Sequence, residues 1–97
     1  IFEKAIEYYN KSFAINPKNA MSHYNIGNIY LTQGKLKNAI KSFDKATVIN
    51  PSNFYAYNNI GISLKKLGKF QEALKFYEKA IKINKDYGTN QTRLHVF

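Results

Sequence analysis

Three residues that close or break helices recur at one fixed interval: Pro17 returns as Pro51, Gly27 as Gly61 and Gly34 as Gly68, each 34 residues further on. Identical residues fill the interval, in the pairs Asn25/Asn59, Ile26/Ile60, Ala39/Ala73, Lys41/Lys75, Lys45/Lys79, Ala46/Ala80, Ile49/Ile83 and Asn50/Asn84. A period of that length marks a stack of one supersecondary unit in which each copy packs on the next. Residues 20–53 make one unit and 54–87 the next. Residues 1–19 fit only the second half of a unit, because Ala5, Ile15, Asn16 and Pro17 align with Ala39, Ile49, Asn50 and Pro51. The chain therefore reads as one domain, 1–97, that opens in mid-repeat as if cut from a longer array. Residues 88–97 are a partial next repeat, a cap or a tail.

Each unit carries two runs of helical spacing, such as Ile26, Ile29 and Tyr30, then Ala39, Ile40, Phe43 and Ala46. Gly34 and Gly68 fall between the runs, where a residue free to turn left-handed closes the first helix. Proline disfavours a helical conformation in the residue before it, so the second helix ends at Asn50-Pro51. The pattern predicts helices at 2–14, 20–33, 36–49, 54–67 and 70–83. Gly27 and Gly61 sit inside helices, where glycine costs about 0.8 to 1 kcal/mol relative to alanine. Close helix contact must offset that cost. Ala39, Ala46, Ala73 and Ala80 supply the matching small surfaces, with Phe43 or Tyr77 filling the space between.

With those positions in place the sequence resembles the tetratricopeptide repeat family, whose pattern runs W-x2-L-G-x2-Y, then A-x3-F, then P. His23, Ile26, Gly27, Tyr30, Ala39, Phe43 and Pro51 fill it in the first unit. Tyr57, Ile60, Gly61, Leu64, Ala73 and Tyr77 fill it in the second, where Lys85 replaces the proline. The resemblance covers residues 1–87 and implies an all-α fold of stacked helix-turn-helix repeats, a fragment of a right-handed α-solenoid. It also implies that first helices line a concave groove and second helices form the outside.

Composition narrows the function classes. Without cysteine there is neither a disulfide framework nor a thiolate site, and no apolar stretch approaches the roughly 20 residues that span a bilayer. An intracellular, cytoplasmic module is the expectation. The net charge of +9 invites a nucleic-acid or anionic-membrane reading. Its distribution argues against one: residues 20–33 contain no charged side chain, and 54–67 contain only Lys65 and Lys66. The charges belong to the second helices, where Glu7/Lys11, Glu78/Lys82 and Asp44 with Lys41 and Lys45 have the spacing of helix-surface pairs. Nucleic-acid binders set exposed aromatics among their cations, whereas Tyr9, Tyr30, Phe43 and Tyr77 here hold core positions.

The inner face implied by the resemblance is amide and aromatic. Its candidate peptide-binding residues are Tyr24, Asn25, Asn28, Tyr55, Asn58, Asn59 and Ile62, edged by Lys65. An asparagine amide both donates and accepts, so it can pair with the backbone of an extended peptide whatever the peptide's side chains. Asn25 and Asn59, one period apart, are expected to form a ladder, as in the asparagine-lined superhelix of O-linked N-acetylglucosamine transferases. The competing use of these asparagines is hydrogen bonding within or between repeats. A second family use, the carboxylate clamp of co-chaperones, is matched by Asn28, Asn59 and, if a third unit continues from Gly88, Arg93. Tyr24 and Thr89 replace its two lysines, which removes most of the attraction for carboxylates.

Nothing in the sequence points to catalysis, a metal or another cofactor. His23 and His95 are isolated, the acidic residues lie among lysines, and no nucleophile or phosphate-loop motif is present. The expected function is a non-enzymatic scaffold that binds an extended peptide of a partner protein in the groove. The alternatives are a basic surface for nucleic acid or anionic membrane and a degenerate carboxylate clamp. Arrays need about three units for stability, so end surfaces bearing Phe2, Ile6, Leu74 or Phe76 also favour end-to-end self-association.

Overall fold

The computed structural model describes the backbone of residues 1–15 and 19–95 and the side chains of residues 1–12 and 19–85. Helices follow one another as α1 (Phe2–Ile15), α2 (Ala20–Thr32), α3 (Leu36–Ile49), α4 (Phe54–Lys66) and α5 (Phe70–His95), with no strand among the described residues. Pro17, which marks the first repeat boundary, lies outside them.

Local chemistry sets most of the boundaries. Asn19 and Asn53, one period apart, cap α2 and α4: each accepts a backbone N–H at 3.1 Å, from Ser22 and Ala56 respectively. These caps satisfy donors that the first helical turn leaves open. At the other ends Gly34 and Gly68 have φ of 76° and 83°. The Gly34 N–H bonds to Leu31 O at 3.1 Å and the Lys35 N–H to Tyr30 O at 2.8 Å. Gly68 and Lys69 repeat the pattern on Lys65 and Leu64 at 3.0 and 2.9 Å, so both first helices close in a Schellman motif. Asn50, ahead of Pro51, leaves the helix at φ −128° and ψ 88°.

The expected end of the last helix at residue 83 is corrected. α5 runs unbroken to His95, so no turn separates residues 70–83 from a third unit. The reason lies at Lys85, which stands where the first unit has Pro51 and leaves the helical N–H ladder intact.

Successive helices pack as antiparallel neighbours, α2 on α3 and α4 on α5, with α3 against α4 and α1 against α2 joining the hairpins. The core is the alternation that the period foretold. Ala39, Phe43, Ala46, Ala56 and Ile60 have no exposed surface, and Leu64, Ala73 and Ala80 are buried beside them. Phe43 lies on Gly27 and Tyr77 on Gly61: a β-carbon built on either glycine would stand 2.6 or 2.7 Å from a ring atom. That contact explains two glycines that helix propensity alone disfavours.

Surface expectations fare less evenly. Glu7 and Lys11 pair at 3.7 Å, but Glu78/Lys82 and Asp44 with Lys41 or Lys45 make no ion pair among the described residues. Exposed pairs contribute too little to hold long side chains in one place. Of the expected apolar end residues, Phe2 and Leu74 are exposed, whereas Ile6 and Phe76 are half-buried. The Phe76 ring stacks on Tyr57 with centroids 6.5 Å apart.

Candidate functional site

The first helices, α2 and α4, meet through a polar contact. Asn59 on α4 donates its side-chain amide to Asn28 Oδ1 on α2 at 2.8 Å, and the same nitrogen lies 3.5 Å from the Tyr24 hydroxyl. All three side chains are half-buried. Tyr24 is held from behind by Phe43, whose ring centroid is 5.8 Å away. The helix interior positions the group: Tyr24 and Asn28 are one turn apart on α2, and Ile26 and Gly27 between them face the core.

The ladder expected between Asn25 and Asn59 is not what forms. Asn59 reaches Asn28, which lies about one turn further along α2 than Asn25, and Asn25 makes no side-chain hydrogen bond among the described residues. Equivalent residues of neighbouring repeats are offset along their helices, so the partner across the interface differs from the partner in register. The series also stops after one step, because Ile62 is the counterpart of Asn28.

A carboxamide has two N–H donors and a carbonyl acceptor. After the Asn59–Asn28 bond, Asn28 retains its NH2 group and Asn59 its carbonyl oxygen. The pair thus keeps donor and acceptor capacity while its orientation is fixed, which is the chemistry that reads a peptide N–H and C=O. Orientation held before binding lowers the entropy cost of a ligand.

The remaining predicted residues are spread over the same helix. Tyr55 is 61% exposed and its ring lies tilted against Phe54 at 4.4 Å between centroids. Tyr55, Phe54 and Asn58 line a hollow of about 220 Å3 with Ala80, Ile81 and Asn84 of α5. Ile62 is half-buried and Lys65 is exposed in the last turn of α4. The candidate residues therefore fall into two clusters: Tyr24, Asn28 and Asn59 where α2 meets α4, and Tyr55 with Asn58 where α4 meets α5.

The clamp reading fares differently. Its two asparagines are bonded to one another, and the position of one clamp lysine is held by Tyr24. The side chains of Thr89 and Arg93 lie outside the described residues, and the backbone there continues α5 instead of opening a third hairpin.

Among the described residues there is no group of three or more His, Asp or Glu side chains that could hold a metal ion, and no helix is long and apolar enough to cross a membrane. Burial raises the Asp44 carboxyl above its ordinary range. That group lies on α3, not on the helices that carry the asparagine pair.

Comparison with known proteins places the fold and its relatives. A family model described as TPR repeat matches residues 2–34 and 27–68, and one described as tetratricopeptide repeat matches 54–87. A crystal structure of MamA superposes with a TM-score of 0.88 at 27% identity over 91% of this chain. The chain spans 52% of that protein's length. The second TPR of Spaghetti (RPAP3), bound to the HSP90 peptide SRMEEVD, superposes with a TM-score of 0.80 at 29% identity, covering 84% of this chain and 76% of the other. No curated protein sequence matches the chain.

Proposed function

The chain belongs to the tetratricopeptide repeat family, and from that premise we propose that it is a non-enzymatic interaction module whose inner helices bind an extended peptide of a partner protein. The observation that carries the reading is the hydrogen-bonded group Asn59–Asn28–Tyr24 spanning two successive repeats. A half-buried side-chain contact between repeats holds two amides in fixed orientation on helices that carry almost no charge. The peptide backbone runs past Asn28 and Asn59, and the hollow at Tyr55 and Asn58 takes a side chain further along.

Support from the relatives is of the same kind. The RPAP3 domain, similar over most of its length, holds a peptide. Its acidic ligand is not carried over, since Tyr24 stands where a clamp lysine would be. Recognition here rests on backbone pairing in place of cationic attraction. The cysteine-free chain fits an intracellular setting, which is part of this proposal.

A linear-peptide display selection on the chain tests the reading, with SRMEEVD included as a reference peptide and salt varied in each binding assay. Peptides that bind the groove hold their affinity as salt rises and shift the side-chain amide resonances of Asn28 and Asn59. A ligand that follows the lysines instead loses affinity steeply, with a slope of about −0.9 per phosphate for duplex DNA. That outcome, with unmoved amide resonances, replaces the groove by the basic outer surface.

A further inference from the structure

Aligned at their 34-residue period, the two repeats differ at a pair of positions that decides how one space between helices is filled. In the second repeat, Tyr57 of α4 is buried, stacks on Phe76 of α5 and lies beneath Lys79, whose ammonium is 4.6 Å from the ring centroid. The first repeat has the same lysine, Lys45, but His23 in place of Tyr57 and Ser42 in place of Phe76. Serine is much smaller than phenylalanine, and histidine is somewhat smaller than tyrosine. A hollow of about 320 Å3 results, bounded by His23 of α2, Lys41, Ser42 and Lys45 of α3, and Asn10 of α1.

We infer that this hollow is a socket for an aromatic side chain, carried beside a carboxylate on a partner protein. The second repeat shows the same frame when filled: a phenol ring, an aromatic neighbour and a lysine over the face. A ring from outside would take the place of the missing pair, with Lys45 set to cover it as Lys79 covers Tyr57. Charge selects what accompanies the ring. Lys41 and Lys45 border the hollow, Asn10, Asn38 and Ser42 add hydrogen-bonding groups, and no Asp or Glu lines it among the described residues. The volume lies at the lower end of the range that small-molecule pockets occupy, which suits one side chain. The socket and the asparagine group share α2 but no residue, the one completed by α1 and α3 and the other by Asn59 of α4, so variants can separate the two sites.

Solution NMR of the whole chain with 3-phenylpropionate, 3-cyclohexylpropionate and propionate as probes tests the inference. Saturable shifts at Asn10, Ser42 and Lys45 are expected for 3-phenylpropionate, with the cyclohexyl acid roughly two- to fivefold weaker. Equal shifts with all three acids would make this a simple cationic patch and overturn the socket. The double variant His23→Tyr with Ser42→Phe, which copies the second repeat, should lose the probe and melt higher than wild type; unchanged probe binding in it overturns the inference. Should that variant fail to fold, Lys45→Gln decides, since an exposed lysine can be neutralised without loss of fold: weaker 3-phenylpropionate binding supports the socket and unchanged binding overturns it. Asn28→Ala with Asn59→Ala must leave the probe bound, because loss there would put the ring in the groove.

Discussion

The Phe43 ring lies so close to Gly27 that a β-carbon on the glycine would stand 2.6 Å from its Cδ1 and Cε1 atoms. Phe43 has no exposed surface, so its ring has nowhere to withdraw. Gly27→Ala therefore destabilises the fold by about 1 to 3 kcal/mol through overpacking, less the helix propensity that alanine restores. Chemical denaturation measures it, and Gly27→Ala combined with Phe43→Leu should recover part of the loss. An unchanged midpoint for Gly27→Ala would remove this contact from the account.

How far the sequence reaches can be seen residue by residue. Helix boundaries of α1 to α4 follow to within one residue, because asparagine, glycine and proline act locally on the backbone. The end of α5 was missed. Overlaying the repeats carries the stop at Asn50-Pro51 onto Asn84-Lys85, but lysine has no reason to break a helix. The Asn59–Asn28 bond was hidden for a different reason: a period pairs equivalents, whereas helices touch at an offset of about one turn. The outer hollow was legible in principle, since His23 against Tyr57 and Ser42 against Phe76 are visible in the overlay. What the overlay lacked was that these positions meet in space.

Asp44 carries a pH dependence of definite sign. Asp44 is exposed on α3 but partly desolvated, which raises its carboxyl in the folded chain, so the folded state holds the proton more tightly than the unfolded state. Its contribution to stability is complete below the unfolded carboxylate value and is lost as pH rises through the raised folded value. Asp44→Asn should therefore melt above wild type at pH 7, with the difference vanishing as pH falls below the ordinary carboxylate range. A difference that grows on acidification would mean that the charged form is favoured in the fold.

Apolar side chains at both ends of the stack point to self-association. Phe2 and Tyr8 of α1 are exposed, as are Leu74 and Ile81 of α5, which are 52% and 65% exposed. In a repeat array such surfaces are covered by the next unit. Multi-angle light scattering over a wide concentration series should show mass rising above the monomer, and Leu74→Lys with Ile81→Lys should suppress the rise. A constant monomer mass throughout would contradict end-to-end stacking.

The claim that matters most is that Asn28 and Asn59 recognise a peptide backbone as well as each other. Removing both partners of one hydrogen bond leaves no unpaired member, so Asn28→Ala with Asn59→Ala should keep a melting temperature close to wild type. Calorimetric titration of this double variant with a peptide selected on the wild-type chain is the direct measurement. The account predicts a loss of about tenfold or more in affinity. Undiminished affinity in a folded double variant would contradict it and leave the asparagines as a joint between repeats.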